Sequence, residues 1–191
     1  LESITRADGT VLTFEYDKTG SLLVQNVGDG QTVESSYNEI GMVTEVSSAE
    51  GTIVYQYNGQ GYLVSVTNVN GDVVSYTYDA YGNKTSMTYP DGRTVSYTYD
   101  RMNRMTSVTG LDGDVTRYAY DAAGRKIAQR EGLSAQPLDN STESLYSEAE
   151  GGRLTVYTYD ASGNLLTKTV GSGDDRVCVA AYTYDSLNRL S

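Results

Sequence analysis

This sequence predicts an all-β protein built as an array of antiparallel β-hairpin repeats. Three observations predict it. A tyrosine followed by an acidic or amide residue returns about every 21 residues, runs of alternating polarity precede it, and glycine turns bound the runs. Self-similarity at such a period means one supersecondary unit per repeat, stacked on its neighbours.

The anchor tyrosines are Tyr16, Tyr37, Tyr57, Tyr78, Tyr99, Tyr120, Tyr159 and Tyr184, spaced by 21, 20, 21, 21, 21, 39 and 25 residues. After each comes Asp17, Asn38, Asn58, Asp79, Asp100, Asp121, Asp160 or Asp185. Four residues past each tyrosine comes Gly20, Gly41, Gly61, Gly82, Asn103, Gly124, Gly163 or Asn188. About eight repeats therefore make up residues 1–191 as a single array.

Residues 70–90 explain one repeat. Val74, Tyr76 and Tyr78 fall on one face and Val73, Ser75 and Thr77 on the other. That two-residue period, rich in Val, Tyr and Thr, predicts a half-buried strand. Asp79-x-x-Gly82 suits a type I turn whose last residue takes positive φ and forms a bulged hairpin loop. Asn103 and Asn188 replace glycine there, and asparagine is the next most tolerant residue at that conformation. Residues 84–89 form the return strand, and Asp91-Gly92 signals a tight turn at the opposite end. That second turn recurs at Asp8-Gly9, Asp29-Gly30, Glu50-Gly51, Asn70-Gly71 and Asp112-Gly113. The whole becomes a meander of about sixteen strands, each about 6 to 7 residues long.

Two residues before the anchors stand Phe14, Ser35, Tyr55, Tyr76, Tyr97, Tyr118, Tyr157 and Tyr182. Seven of these eight are aromatic, so stacked ring ladders along one face are expected. The rhythm breaks once, at an insertion of about residues 131–151 that contains Pro137, Asn140-Ser-Thr-Glu143 and Leu145-Tyr146. Asn140-x-x-Glu143 has the spacing of a helix start, but no apolar period follows it. The insertion reads as an extended surface loop or a longer hairpin.

Composition narrows the function. The net charge is -11, and phosphate or anionic membrane binding needs clustered Lys and Arg, so nucleic acid and membrane surfaces are poor partners. No apolar run is long enough for a membrane helix, and no membrane insertion is expected. There is one cysteine, Cys178, so no internal disulfide forms, and its strand-like setting predicts a buried, inert thiol. With no histidine, Ser-His-Asp and Cys-His catalysis and His-dependent zinc sites are excluded within the chain. Asp174-Asp175 lies in a Gly-Ser-Gly loop and reads as solvated. Calcium is the best metal candidate by composition, yet the repeat fits no calcium loop pattern. No cofactor, metal or catalytic residue is expected, and the chain is read as not an enzyme.

The unit Tyr-x-Tyr-Asp-x-x-Gly-Asn/Arg resembles the YD-repeat, or Rhs-repeat, family. Clear copies are Tyr76-Thr77-Tyr78-Asp79-Ala80-Tyr81-Gly82-Asn83, Tyr118-Ala119-Tyr120-Asp121-Ala122-Ala123-Gly124-Arg125 and Tyr157-Thr158-Tyr159-Asp160-Ala161-Ser162-Gly163-Asn164. The copy Tyr182-Thr183-Tyr184-Asp185-Ser186-Leu187-Asn188-Arg189 also fits, and Ser35-Ser36-Tyr37-Asn38 departs furthest. The family includes bacterial polymorphic toxins, insecticidal toxin-complex subunits, wall-associated proteins and teneurins. The resemblance implies a continuous curved or spiralling sheet, part of a shell that encloses a C-terminal effector domain of the same protein. It also implies secretion or a place on the bacterial cell surface. The self-cleavage motif of the toxins, Asp-Pro-x-Gly, does not occur here, so that activity is not carried over.

The alternative role is a carbohydrate-binding or cell-contact module. Its candidate glycan contacts are Tyr81, Tyr89 and Tyr146, which lie outside the aromatic pattern. The rival fold is a β-propeller, whose four-stranded blades would need two repeats each. Odd and even copies do not alternate, which favours the continuous sheet. The chain stops within a repeat, so it reads as a fragment of a longer array, and edge-to-edge self-association of the fragment is expected.

Overall fold

A computed structural model describes residues 2–28, 30–133, 145–146, 151–171 and 176–191. Asp29, the Asn140–Glu143 helix-start pattern, Pro137 and Asp174-Asp175 lie outside the described residues. The first eight strands are β1 Ser3–Thr5, β2 Val11–Tyr16, β3 Leu22–Gly28, β4 Gln31–Tyr37, β5 Val43–Ser48, β6 Gly51–Tyr57, β7 Leu63–Thr67 and β8 Val73–Tyr78. The next are β9 Lys84–Thr88, β10 Thr94–Tyr99, β11 Met105–Thr109 and β12 Val115–Tyr120. The last are β13 Lys126–Leu133, β14 Arg153–Tyr159, β15 Leu165–Gly171 and β16 Val177–Ala181. All sixteen run in chain order through one sheet with no crossover. A single sheet excludes the four-stranded blades of a propeller.

The chain divides into two compact units, Leu1–Tyr78 with Met87–Arg93 and Asp79–Ser86 with Thr94–Ser191. In the first, β1 to β8 pair antiparallel with their sequence neighbours. In the second, β10 to β16 do the same. Register shifts fall immediately before Tyr16, Tyr37, Tyr57, Tyr99, Tyr120 and Tyr159, so each of these anchors pairs with the residue six positions later across a bulge.

Both ends of the hairpins use one loop type. At the tyrosine end the Asp121 N–H donates to the Arg125 carbonyl at 2.9 Å and the Gly124 N–H to the Asp121 carbonyl at 3.0 Å. At the opposite end Tyr89 and Gly92 make the same two bonds with Arg93 and Tyr89. Asp91-Gly92 is thus the third and fourth residue of a four-residue turn, not a two-residue loop, and Gly9, Gly71 and Gly113 close theirs in the same way. Only glycine need adopt positive φ in this geometry, and Gly92 has φ 82°. Two connections differ, each of two residues: one between the paired Ser48 and Gly51 and one between the paired Gly28 and Gln31.

Most strand residues are half-buried, as expected of a sheet one layer thick. Among the described residues the compact apolar cluster is Ala119, Ala128, Leu145 and Leu154, with Ile127, Tyr146 and Val156 packed against it. At the edges of the insertion β13 continues to Leu133, and within it Leu145 is 1% exposed on the sheet. One expectation changes here. Cys178 is exposed rather than buried. It lies on β16, the last strand of the sheet, which has a neighbour on one side only.

Candidate functional site: the seam between repeats

The seam begins with the turn carboxylate. Asp121 Oδ1 accepts the N–H of Ala123 and of Arg125, each at 2.9 Å. Asp79 and Asp100 hold their turns in the same way. Asn38 and Asn58 do it with a side-chain amide oxygen. A short side chain that accepts from its own backbone favours such turns, so Asp and Asn serve equally for this bond. Gly124, with φ 84°, closes the loop.

The second carboxylate oxygen holds the residue after the glycine. Asp121 Oδ2 accepts from Arg125 Nε at 2.6 Å, Asp100 Oδ2 from Arg104 Nε at 2.7 Å, and Asp160 Oδ2 from Asn164 Nδ2 at 2.8 Å. Each held side chain then reaches the following turn. Arg104 Nη1 donates to the Asp121 carbonyl at 2.9 Å and Arg125 Nη1 to the Asp160 carbonyl at 3.0 Å. Their guanidinium groups lie 4.8 Å and 4.9 Å from the ring centres of Tyr120 and Tyr159. Asn83 and Asn164 are too short for that carbonyl. They donate to Asn103 Oδ1 and Asn188 Oδ1, each at 3.0 Å.

A pairing rule follows. An arginine clamp faces a turn closed by glycine, Gly124 or Gly163. An asparagine clamp faces a turn closed by asparagine. Asn103 and Asn188 are the only positive-φ residues other than glycine among the described residues, both at φ 58°. Their left-handed conformation is offset by the side-chain acceptor they present.

The anchor hydroxyls complete the seam. In the first unit Tyr37, Tyr57 and Tyr78 donate to the carbonyls of Leu22, Val43 and Leu63 at 2.8, 2.9 and 2.9 Å. In the second, Tyr99, Tyr120, Tyr159 and Tyr184 donate to those of Lys84, Met105, Lys126 and Leu165 at 2.9, 2.8, 2.8 and 3.0 Å. Tyr16 is half-exposed on β2. Burial raises the Tyr78, Tyr99 and Tyr120 hydroxyls above the usual tyrosine range, which keeps them protonated as donors. Leu22, Val43, Leu63, Met105, Lys126 and Leu165 each pair with the anchor of their own repeat, beside the bulge that interrupts the ladder.

The expected ring ladder takes another form here. Tyr62 stacks on Tyr78 at 5.0 Å, and the Lys126 ammonium lies 5.6 Å from the Tyr118 ring and 5.1 Å from the Tyr157 ring. Of the candidate contacts, Tyr81 is 78% exposed at a turn tip. Tyr89 is half-buried at the start of the opposite turn, and Tyr146 is half-buried against the apolar cluster. Among the described residues no group of three Cys, Asp or Glu is placed to hold a metal ion. The clamp residues Asn83, Arg104, Arg125 and Asn164 occupy the recurring Asn or Arg position after the glycine or asparagine that closes each turn; the sequence marks the position but not its clamping contact.

The Teneurin YD-shell family model matches residues 1–115. No curated protein sequence matches the chain. The fold is similar to that in the crystal structure of TcdB2-TccC3-Cdc42, with TM-score 0.71 and 19% identity over 97% of this chain and 10% of that one. It is also similar to TcdB2-TccC3 without its hypervariable C-terminal region, with TM-score 0.70 and 19% identity over 97% of this chain and 10% of that one. A mutant Photorhabdus luminescens Tc holotoxin pore matches with TM-score 0.63 and 16% identity, covering 97% of this chain and 12% of that one. The chain thus spans about a tenth of the length of the solved chains it resembles.

Removing one seam hydroxyl leaves the Met105 carbonyl without its donor. Tyr120→Phe is expected to cost about 1 kcal/mol, read as a lower urea midpoint. An unchanged midpoint would show that the hydroxyl contributes nothing. Asp121 gives a pH signature. The Arg125 side-chain hydrogen bond holds its carboxyl below the ordinary aspartate value, helped by the Arg125 and Ala123 N–H groups and the Arg125 charge. A carboxyl lowered by folding stabilises above the unfolded value, about 3.9, and loses that contribution as pH falls through the folded value. Urea midpoints measured from pH 6 to pH 2 should fall less in Asp121→Asn than in the wild type. The asparagine keeps the turn bonds, as Asn38 and Asn58 do, and has no charge to lose. Parallel curves would exclude the clamp as an acid-sensitive element.

Proposed function

The chain belongs to the teneurin YD-shell family, and we propose that it forms a wall section of a larger β-shell that encloses a polypeptide of the same protein. The repeated hydroxyl-to-carbonyl bond carries this reading. Seven anchors make it with the same partner position, so each repeat adds to the last without new geometry. A small constant rotation per repeat turns such an array into a curved wall. A sheet one layer thick leaves a face free to line a lumen. The role is structural: the repeats bind one another and exclude protease and solvent from what they surround. Such a protein works outside the cell, secreted or on its surface.

A second reading, a contact for cell-surface glycans, is favoured by one observation. Tyr81 projects from a turn tip, outside the seam and 78% exposed. Its ring is free to stack on a sugar.

Limited proteolysis of the natural full-length polypeptide tests the shell. A segment C-terminal to the array should stay intact until the array itself is cut. Clipping of that segment while the repeats persist would leave an open scaffold instead. For the glycan reading, titration with oligosaccharides should move the Tyr81 ring resonances and should fail in Tyr81→Ala. Resonances that stay fixed throughout the titration end that reading.

A further inference from the structure

We propose that the β12–β14 face carries a docking site for a leucine-bearing peptide segment, filled in this chain by its own Leu145–Tyr146. This stands independently of the shell reading. It rests on a local exception in the repeat pattern and on what covers that exception.

In three other copies the row that crosses this face is polar and bonded within itself. Gln56 and Ser65 face each other with a side-chain bond of 3.1 Å, Thr98 and Ser107 with one of 2.7 Å, and Thr158 and Thr167 with one of 2.6 Å. The corresponding row of the sixth copy is Ala119 opposite Ala128, followed on β14 by Val156. Two alanines leave an apolar hollow with no polar side chain to solvate. Leu145 fills it and becomes 1% exposed, beside Leu154 at 1%. The sheet itself has no need of alanine there, since the Thr and Ser rows form equally regular strands. The hollow fits a leucine side chain.

The next row supplies the second element. Arg117 stands opposite Arg130, and both are buried, at 4% and 0% exposure. Arg130 Nε donates to the Leu145 carbonyl at 2.7 Å, and its Nη1 donates to the Gly151 carbonyl. Both acceptors are main-chain groups, one on the docked leucine and one where the chain returns to β14. A buried guanidinium is retained only when its N–H groups are satisfied. The two peptide carbonyls take the Nε and Nη1 donors while their leucine fills the hollow. The site therefore reads a leucine side chain and a peptide backbone together. Tyr146 adds ring contact, and its burial raises its hydroxyl above the usual range against the opposing charge of Arg176.

The chain carries its own ligand at high effective concentration, so the site must be emptied to be seen. The probe is a fluorescent synthetic peptide with the sequence of residues 139–151, titrated into the full chain carrying Leu145→Ala. Saturable binding to that variant is expected. It should weaken roughly tenfold or more when the peptide leucine is replaced by alanine. It should be lost when Ala128→Leu fills the hollow. A folded Leu145→Ala chain that does not bind the peptide overturns the proposal, as does binding that is indifferent to the peptide leucine. Should Leu145→Ala fail to fold, return of its native circular dichroism on adding the peptide supports the site. Absence of any recovery at millimolar peptide overturns it.

Discussion

One hydrogen bond, from a tyrosine hydroxyl to the main-chain carbonyl of the preceding repeat, is the constraint on which the remaining architecture depends. Among the described residues most side chains of this sheet are only half-buried, so burial alone does little to set the relation between hairpins. The anchor ring offers apolar area to its neighbours and a donor at its tip. Phenylalanine would supply only the area. The acceptor is a backbone oxygen, so the bond is indifferent to the residue that carries it. Leu22, Val43, Lys84, Met105 and Lys126 all serve. This explains why the tyrosine recurs while the acceptor position varies within one chain.

The turn carboxylate divides its work between two oxygens. One fixes its own loop, which Asp and Asn accomplish alike. The other orients a clamp that touches the next loop, and Asp is needed where that clamp is arginine. Clamp and target then vary together. Arginine reaches a backbone carbonyl beyond a glycine turn, and asparagine meets an asparagine held at positive φ. Neighbouring turns thus recognise each other by side-chain reach, while the hydroxyl seam beneath treats every repeat alike.

The insertion shows how strongly the seam governs the array. Tyr159 donates to the Lys126 carbonyl across a chain separation of 33 residues, at the 2.8 Å found for Tyr120 across 15 residues. The extra segment leaves from the hairpin end opposite the tyrosine turns, so β13 and β14 pair as if it were absent. Its Leu145 returns to the sheet at the one row where two alanines face each other among these copies. The seam accepts an added segment while keeping its own bond, with one extra register shift between Val115 and Arg117 in the β12–β13 pairing.

The sequence by itself determined the strands, the turns and their order. A two-residue polarity period, Asp-x-x-Gly loops and a fixed spacing are local signals, and local backbone preference sets each of them. Anchor positions were legible for the same reason, since the tyrosine recurs beside a turn held by Asp or Asn. The bond partners of those anchors were not legible. Hydroxyl to carbonyl is a contact between repeats, and the acceptor has no side-chain signature. Arg130 was equally silent: its burial depends on a segment fifteen residues away folding onto it, and a lone arginine on a strand ordinarily reads as solvated. Cys178 reads as buried by residue type and is exposed, because the number of neighbouring strands, and not composition, decides burial at β16. What the tertiary structure alone decided is which groups meet between repeats, since those meetings are set by the pairing of strands distant along the chain.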